Sequence, residues 1–173
     1  MFRNSFTKLI VNGKMHRMKS TITRQPLVSI DFASYISGFV DGEGCFCVSI
    51  NPRNTMKTKW ESRPSFSVSQ NADRSEVLYK MQEYFQCGTI RRDSSDKTLK
   101  YEIRSLKDLV EKIIPHFRRF PLLSSKQDSF HRFAKICELM TLKNHLSQNF
   151  IGELIELANQ VNHGKRKYEL KKI

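Results

Sequence analysis

Nine residues, Ile36-Ser37-Gly38-Phe39-Val40-Asp41-Gly42-Glu43-Gly44, restrict what this chain can fold into more than any other stretch. They begin as a helix. Asp31 stands where an N-cap would stand, and Phe32, Tyr35, Ile36, Phe39 and Val40 recur at helical spacing. Ser34, Gly38 and Gly42 fall four apart on one face of that helix. A glycine inside a helix costs about 1 kcal/mol against alanine, and the usual reason for two on one stripe is the close approach of another backbone. The helix ends in Asp41 and Glu43. That end is wrong for carboxylates, because a helix C-terminus already carries partial negative charge. Two acids there need compensating positive charge, and a divalent metal ion would supply it. An amphipathic core helix with a glycine C-cap would share the apolar spacing, but it leaves the acids unexplained.

The charge of the whole chain says what kind of partner to look for. Thirty Lys and Arg against seventeen Asp and Glu give a net charge of +13 and a pI near 9.8, which points to a polyanion. The basic residues run along the chain rather than filling one tail, which favours a folded nucleic-acid-binding surface over a disordered arm. No apolar run approaches a membrane-spanning length, which argues against a membrane partner, and nothing calls for a small-molecule substrate. A length of 173 residues suits one domain with a real core. Cys45, Cys47, Cys87 and Cys137 have no Cys-x-x-Cys spacing and no nearby histidine pair. They read as reduced thiols of an intracellular protein, mostly packing residues, without a zinc site. The histidines show no metal-ligand spacing either and read as surface or core filler.

Residues 1–30 carry Arg3, Lys8, Lys14, Arg17, Lys19 and Arg24 with no acid before Asp31. This composition resembles an organelle transit peptide. It suits equally a basic arm on a phosphate backbone or an irregular extension, and these readings stay open. The expected organisation is a basic N-terminal extension over 1–30, a folded domain over 31–163 and a basic tail over 164–173.

Within the domain, Cys45 to Ile50 alternates as a strand, with Phe46, Val48 and Ile50 on one face and Cys45, Cys47, Ser49 and Asn51 on the other. Arg53, Asn54, Lys57 and Lys59 make the following connection basic and polar. A second strand, about Trp60 to Gln70, turns Phe66 and Val68 inward and Glu61, Arg63, Ser65, Ser67 and Ser69 outward, with Pro64 near its edge end. A capping box of Asp73 and Glu76 opens a helix from Asp73 to about Gln86, which Gly88 stops. Ile90–Asp93 and Leu99–Arg104 form a hairpin across residues 94–97, with Arg91, Asp93, Lys100, Glu102 and Arg104 facing out together. Ser105 caps a helix that ends at Pro115, Ser124 opens another, and a last helix runs from about Ser147 to Val161. The order is α-β-β-α-β-β-α followed by further helices, an α+β chain in which four strands form one antiparallel sheet covered by helices on its apolar face. The other face is polar and basic. A plain solvated sheet face would look the same, but small hydroxyls and basic groups also suit the edges of DNA bases. The expected contact residues are Ser49, Asn51, Arg53, Ser65, Ser67, Arg91, Asp93, Lys100 and Glu102.

The nonapeptide resembles the LAGLIDADG motif position for position, with Gly38, Asp41 and Gly44 identical and the remaining changes of like kind. The resemblance covers roughly Asp31 to Leu142. It implies the LAGLIDADG fold, αββαββα with a four-stranded antiparallel saddle sheet, here with additional C-terminal helices. It also implies a homing endonuclease that cuts both strands of a long, partly palindromic DNA site and so starts intron homing. By resemblance Glu43 is the metal-binding carboxylate, although aspartate is commoner there, and the Gly42 carbonyl is a second ligand, for Mg²⁺ or another divalent cation such as Mn²⁺. Gln70 resembles the residue that positions active-site water, and Arg74 a basic residue at the pocket edge. Ser124 falls where relatives have a lysine, so Lys126, two residues later, is the basic candidate. One motif per chain implies a homodimer, with Ser34, Gly38 and Gly42 as the flat stripe of a two-fold interface. An organelle whose intron encodes the protein is the expected location. An RNA maturase that binds intron RNA, or a non-cutting DNA-binding regulator, would share the basic sheet.

Overall fold

The structure, a computed structural model, describes residues 8–11, 14–17, 31–56, 59–93, 97–142 and 148–161, with side chains from residue 31 onward except 148–151. Expectations for the turn at 94–96, the start of the last helix at Ser147, the inward face of Phe150 and the tail beyond 161 lie outside the described residues. The chain divides into two compact units, residues 1–30 and 31–173. The first contains a hairpin that the sequence reading did not anticipate: β1 (Lys8–Val11) pairs antiparallel with β2 (Lys14–Arg17), Val11 opposite Lys14.

The second unit begins with α1 (Phe32–Glu43). Asp31 caps it as expected, accepting from the amides of Ala33 and Ser34 and from the Ser34 hydroxyl. The chain passes straight from α1 into β3 (Gly44–Pro52), then β4 (Trp60–Asn71), a 3₁₀ turn (Ala72–Arg74) and α2 (Glu76–Phe85). β5 (Thr89–Arg92) and β6 (Thr98–Ile103) follow. The sheet order is β3-β4-β6-β5, antiparallel throughout, with Phe46 opposite Phe66, Phe66 opposite Ile103 and Ile90 opposite Tyr101. Pro64 sits opposite Val48, in the part of β4 that lies beyond its pairing with β6, so its missing N–H breaks no ladder on that side.

Alternation sends Phe46, Val48, Phe66, Val68, Tyr101 and Ile103 to one face, where they are almost fully buried. Ile36 and Val40 of α1 and Leu78, Met81 and Phe85 of α2 join the same core. Phe46 is its hub, with ring centroids 5.3–5.5 Å from those of Phe66, Phe117, Phe130 and Phe133. Each such ring contributes roughly 1.5–3 kcal/mol by burial alone.

Three helix boundaries differ from the sequence reading. The Asp73–Glu76 capping box does not form. Asp73 falls in the 3₁₀ turn, and Ser75, whose hydroxyl donates to the Ala72 carbonyl, precedes α2. α2 ends at Phe85, about where the sequence places its end, but the left-handed residue that caps it is Gln86, at φ 51°, rather than Gly88. Pro115 does not end the third helix. α3 (Leu106–Asp108), capped by Ser105, runs through a π turn (Leu109–Ile113) into α4 (Ile114–Arg119). Proline removes one intrahelical N–H, and the wider turn just before it, with the Ile114 amide reaching back to the Leu109 carbonyl, absorbs the mismatch without breaking the helix. α5 (Lys126–Thr141) and α6 (Gln148–Val161) complete the layer. No helix among the described residues is long and apolar enough to cross a membrane.

Candidate active site and nucleic-acid interface

The C-terminal end of α1 is built by contacts with the loop before α5. Asp41 Oδ2 accepts from the Leu123 and Ser124 amides, each at 3.0 Å, and its Oδ1 accepts from the Ser124 hydroxyl. The first acid of the motif thus ties α1 to the approach of α5. Burial pushes its carboxyl upward, but the Ser124 hydroxyl, these two amides and the Lys126 charge outweigh that, and the net shift is below the usual aspartate value. Lys126 completes the end from the other side: its Nζ lies 2.9 Å from the Val40 carbonyl and 3.3 Å from that of Gly42. The Val40 carbonyl also accepts from the Gly44 amide, and a cation on the last carbonyls of a helix complements their partial negative charge.

Gly44 turns the chain from helix to strand. Its backbone is ordinary, at φ −81°, but a Cβ there would lie 2.5 Å from Val40 Cγ1 and 2.7 Å from the Val40 oxygen. Close approach, rather than an unusual dihedral, demands glycine. The other two glycines differ, since a Cβ on Gly38 or Gly42 would meet nothing within 4 Å. Both are exposed, as is Ser34, so the stripe faces open space in this chain.

Glu43 is exposed, and among the described residues it has no hydrogen-bond or ion-pair partner. Its donor set fits a hard divalent cation that keeps several waters. One carboxylate per chain is too few for a closed protein cage, and no cluster of three or more His, Cys, Asp or Glu occurs among the described residues. The Gly42 carbonyl, expected as the second ligand, here accepts from Lys126. Gln70 lies at the matching end of β4. Gly44 pairs with Val68, so Gln70 extends two residues past the start of β3, on the side from which α1 arrives. Its side-chain oxygen accepts from the Asn71 amide. Arg74 is exposed at the end of the 3₁₀ turn, and no hydrogen bond joins it to Glu43, Gln70 or Lys126 among the described residues.

The polar face of the sheet is a groove. Ser49, Asn51, Ser65, Ser67, Arg91, Lys100 and Glu102 all line it. Arg53 and Asp93 do not. Arg53 sits in the β3–β4 connection, paired with Glu61, and Asp93 follows β5 with its amide on the Thr98 carbonyl. Arg63, Arg104, Cys45 and Cys47 also line the groove and were left out of the expected contact set, although the same alternation places them there. Cys45 is therefore an exposed groove residue rather than a packing one, while Cys137 is fully buried. Two carboxylates organise the cations. Glu61 pairs with Arg53 and with Arg63 at 2.7 Å, and although slight burial pushes its carboxyl up, these two arginines hold it below the usual range. Glu102, only 8% exposed, meets Arg91, Lys100 and Arg104.

Comparison with known proteins agrees with this geometry. The family model for LAGLIDADG endonuclease matches residues 36–137. A probable intron-encoded endonuclease, Cox1-I1b of Schizosaccharomyces pombe, is 31% identical over 78% of this chain, which corresponds to 34% of its own length. The chain spans only 24–34% of the length of four curated relatives, three of them probable intron-encoded endonucleases and one an uncharacterized protein in an ND4 intron. Among solved structures, the meganuclease I-SmaMI bound to uncleaveable DNA superposes with a TM-score of 0.75 at 28% identity, covering 80% of this chain and 46% of that one. The homing endonuclease I-TnaI superposes with a TM-score of 0.72 at 32% identity, covering 77% of this chain and 89% of that one. With the motif at the end of α1, the antiparallel four-stranded sheet and these matches together, the chain belongs to the LAGLIDADG endonuclease family.

Proposed function

We propose that this chain is an intron-encoded homing endonuclease that makes a site-specific double-strand break in DNA as a homodimer. The observation that carries the reading is the contrast at the end of α1. Asp41 is fully engaged in holding the fold, while Glu43, two residues on, is exposed and without a partner among the described residues, two positions before the groove residue Cys45. Binding alone has no use for a free carboxylate at the negative end of a helix. Glu43 would hold the divalent cation, and the ion would supply charge stabilisation for the attacking and leaving oxygens of the phosphodiester. Mg²⁺ or Mn²⁺ suits a site with so few protein donors. Gln70 would orient water near the scissile phosphate, and Lys126 would supply positive charge from its seat on the Gly42 carbonyl. The groove would read base edges. The relatives support this reading: one structure of I-SmaMI holds cleaved DNA and another holds uncleaved DNA with calcium ions. An organelle that carries the host intron is the location this reading implies.

Two strands need two such helix ends, and one chain has one Glu43. Ser34, Gly38 and Gly42 would meet the same stripe of a second copy, which gives the two open glycines a reason that nothing among the described residues provides. Incubating the protein with a randomised duplex pool and Mg²⁺, then sequencing the cut ends, tests the activity. A partly palindromic consensus is expected, and a pool left uncut at every sequence refutes the reading. Sedimentation at micromolar concentration tests the assembly. The wild type should be a dimer, and Gly38→Leu, which forces the helix axes apart, should give an inactive monomer. A Gly38→Leu protein that remains a fully active dimer would refute the interface.

A further inference from the structure

The inference concerns Glu102 and rests on the DNA-reading role of the groove. β6 places Lys100 and Glu102 on one side of the sheet, Arg104 just past its end lines the same groove, and the register sets Arg91 directly opposite Lys100. Like charges facing one another across strands repel. Glu102 lies between them: its carboxylate is 3.0–3.1 Å from the Arg104 guanidinium, 3.5 Å from Arg91 Nε and 3.8 Å from Lys100 Nζ. The acid is only 8% exposed, whereas Arg91 and Arg104 are 48% and 66% exposed. A sheltered, fixed anion therefore anchors two guanidinium groups whose other faces are open to the groove.

We propose that Glu102 is a positioning residue that sets base discrimination, holding Arg91 and Arg104 ready for guanine while cancelling charge that would otherwise attract any duplex. The fork of an arginine pairs with the O6 and N7 acceptors of guanine much as it pairs with a carboxylate. An arginine already held by Glu102 loses less side-chain freedom on meeting a base than a free one. Without the acid, the three cations repel, spread and bind phosphate wherever they meet it.

The test is duplex binding without Mg²⁺, read against a library carrying every single-base change of the selected site and across a salt series. Glu102→Gln should relax discrimination about tenfold at the base pairs read by Arg91 and Arg104. It should also steepen the salt dependence by roughly one phosphate contact. Arg91→Ala should relax an overlapping set of positions, and there the double variant should be no worse than the more affected single variant. Glu102→Asp, which keeps the charge but shortens the reach, should relax the same positions while leaving the salt slope unaltered, and it serves if the glutamine variant melts below assay temperature. A selective wild type whose profile survives Glu102→Gln, or loosens at every position alike, overturns the inference alone. A wild type that selects no duplex overturns the endonuclease reading and this inference with it.

Discussion

Asp41 and Glu43 are two acids separated by one glycine at the same unfavourable helix end, yet the structure treats them oppositely. Asp41 points back into the protein and takes two amides and a hydroxyl from the loop before α5. Glu43 points away and takes nothing from the described residues. The pair shows how a helix end can serve architecture and chemistry at once. The charge of one carboxylate is offset by the amides and hydroxyl of a neighbouring segment, and Lys126 on the last carbonyls offsets part of the helix-end field. The second carboxylate is left exposed, without a partner among the described residues.

The comparison breaks first at Glu43. Glu43→Gln should reduce cleavage by at least about a thousandfold, on the order of losing a principal transition-state charge contact, while leaving the melting temperature and DNA affinity near wild type. A cleavage assay beside a thermal melt reads both. Asp41→Asn should do the reverse in emphasis. Losing charge-assisted bonds to the 123–124 loop should cost about 1–3 kcal/mol of stability, measured by denaturant unfolding, with cutting reduced only as far as the loop loosens.

Acid titration sharpens the contrast. His116 of α4 is buried against α1 and α2, its Nδ1 3.2 Å from the Tyr84 hydroxyl and its Nε2 3.5 Å from that of Ser37. Burial lowers its pKa to about 4, with the Asp31 charge opposing. The unfolded chain therefore binds a proton first, and stability should fall by about 2 kcal/mol as pH drops from 6.5 towards 4, after allowing for residual screening. His116→Gln should flatten that limb. The Asp41 contribution occupies a lower window. Its carboxyl is depressed, so its share of stability is present above the unfolded value near 3.8 and is lost only as pH falls through the folded one. Melting curves at successive pH values separate the two. The smallest effect is expected at Lys126: Lys126→Met should cost under about 1 kcal/mol of stability while slowing cutting far more than that loss explains.

The helix of the motif, its Asp31 cap and both faces of the sheet were legible in the sequence because each follows from residues two to four apart. Alternation placed Ser49, Ser67 and Lys100 correctly without knowledge of strand order. What stayed hidden depends on partners far along the chain. Nothing local to Asp41 announces Ser124, and nothing local to Glu102 announces how deeply its neighbours shelter it. Local rules also failed where two competed. Asp73 and Glu76 have capping-box spacing, but the chain leaving β4 at Asn71 is held by the Ala72 amide on the Lys97 carbonyl, which favours a 3₁₀ turn there. Pro115 reads as a helix stop, and a π turn two residues earlier absorbs it.

The contacts that finish the end of α1 join residues 82 to 86 positions apart. A ribosome adds roughly 5–20 residues per second, so Glu43 emerges several seconds before Ser124 and Lys126 exist. Through that interval the motif has its carboxylate but neither the loop that holds Asp41 nor the amine that steadies the last carbonyls. On the proposed endonuclease reading, this order of manufacture matters. The segment that carries Glu43 is made first and the segment that completes the end of α1 is made later, so the proposed site stays incomplete until synthesis has passed Lys126.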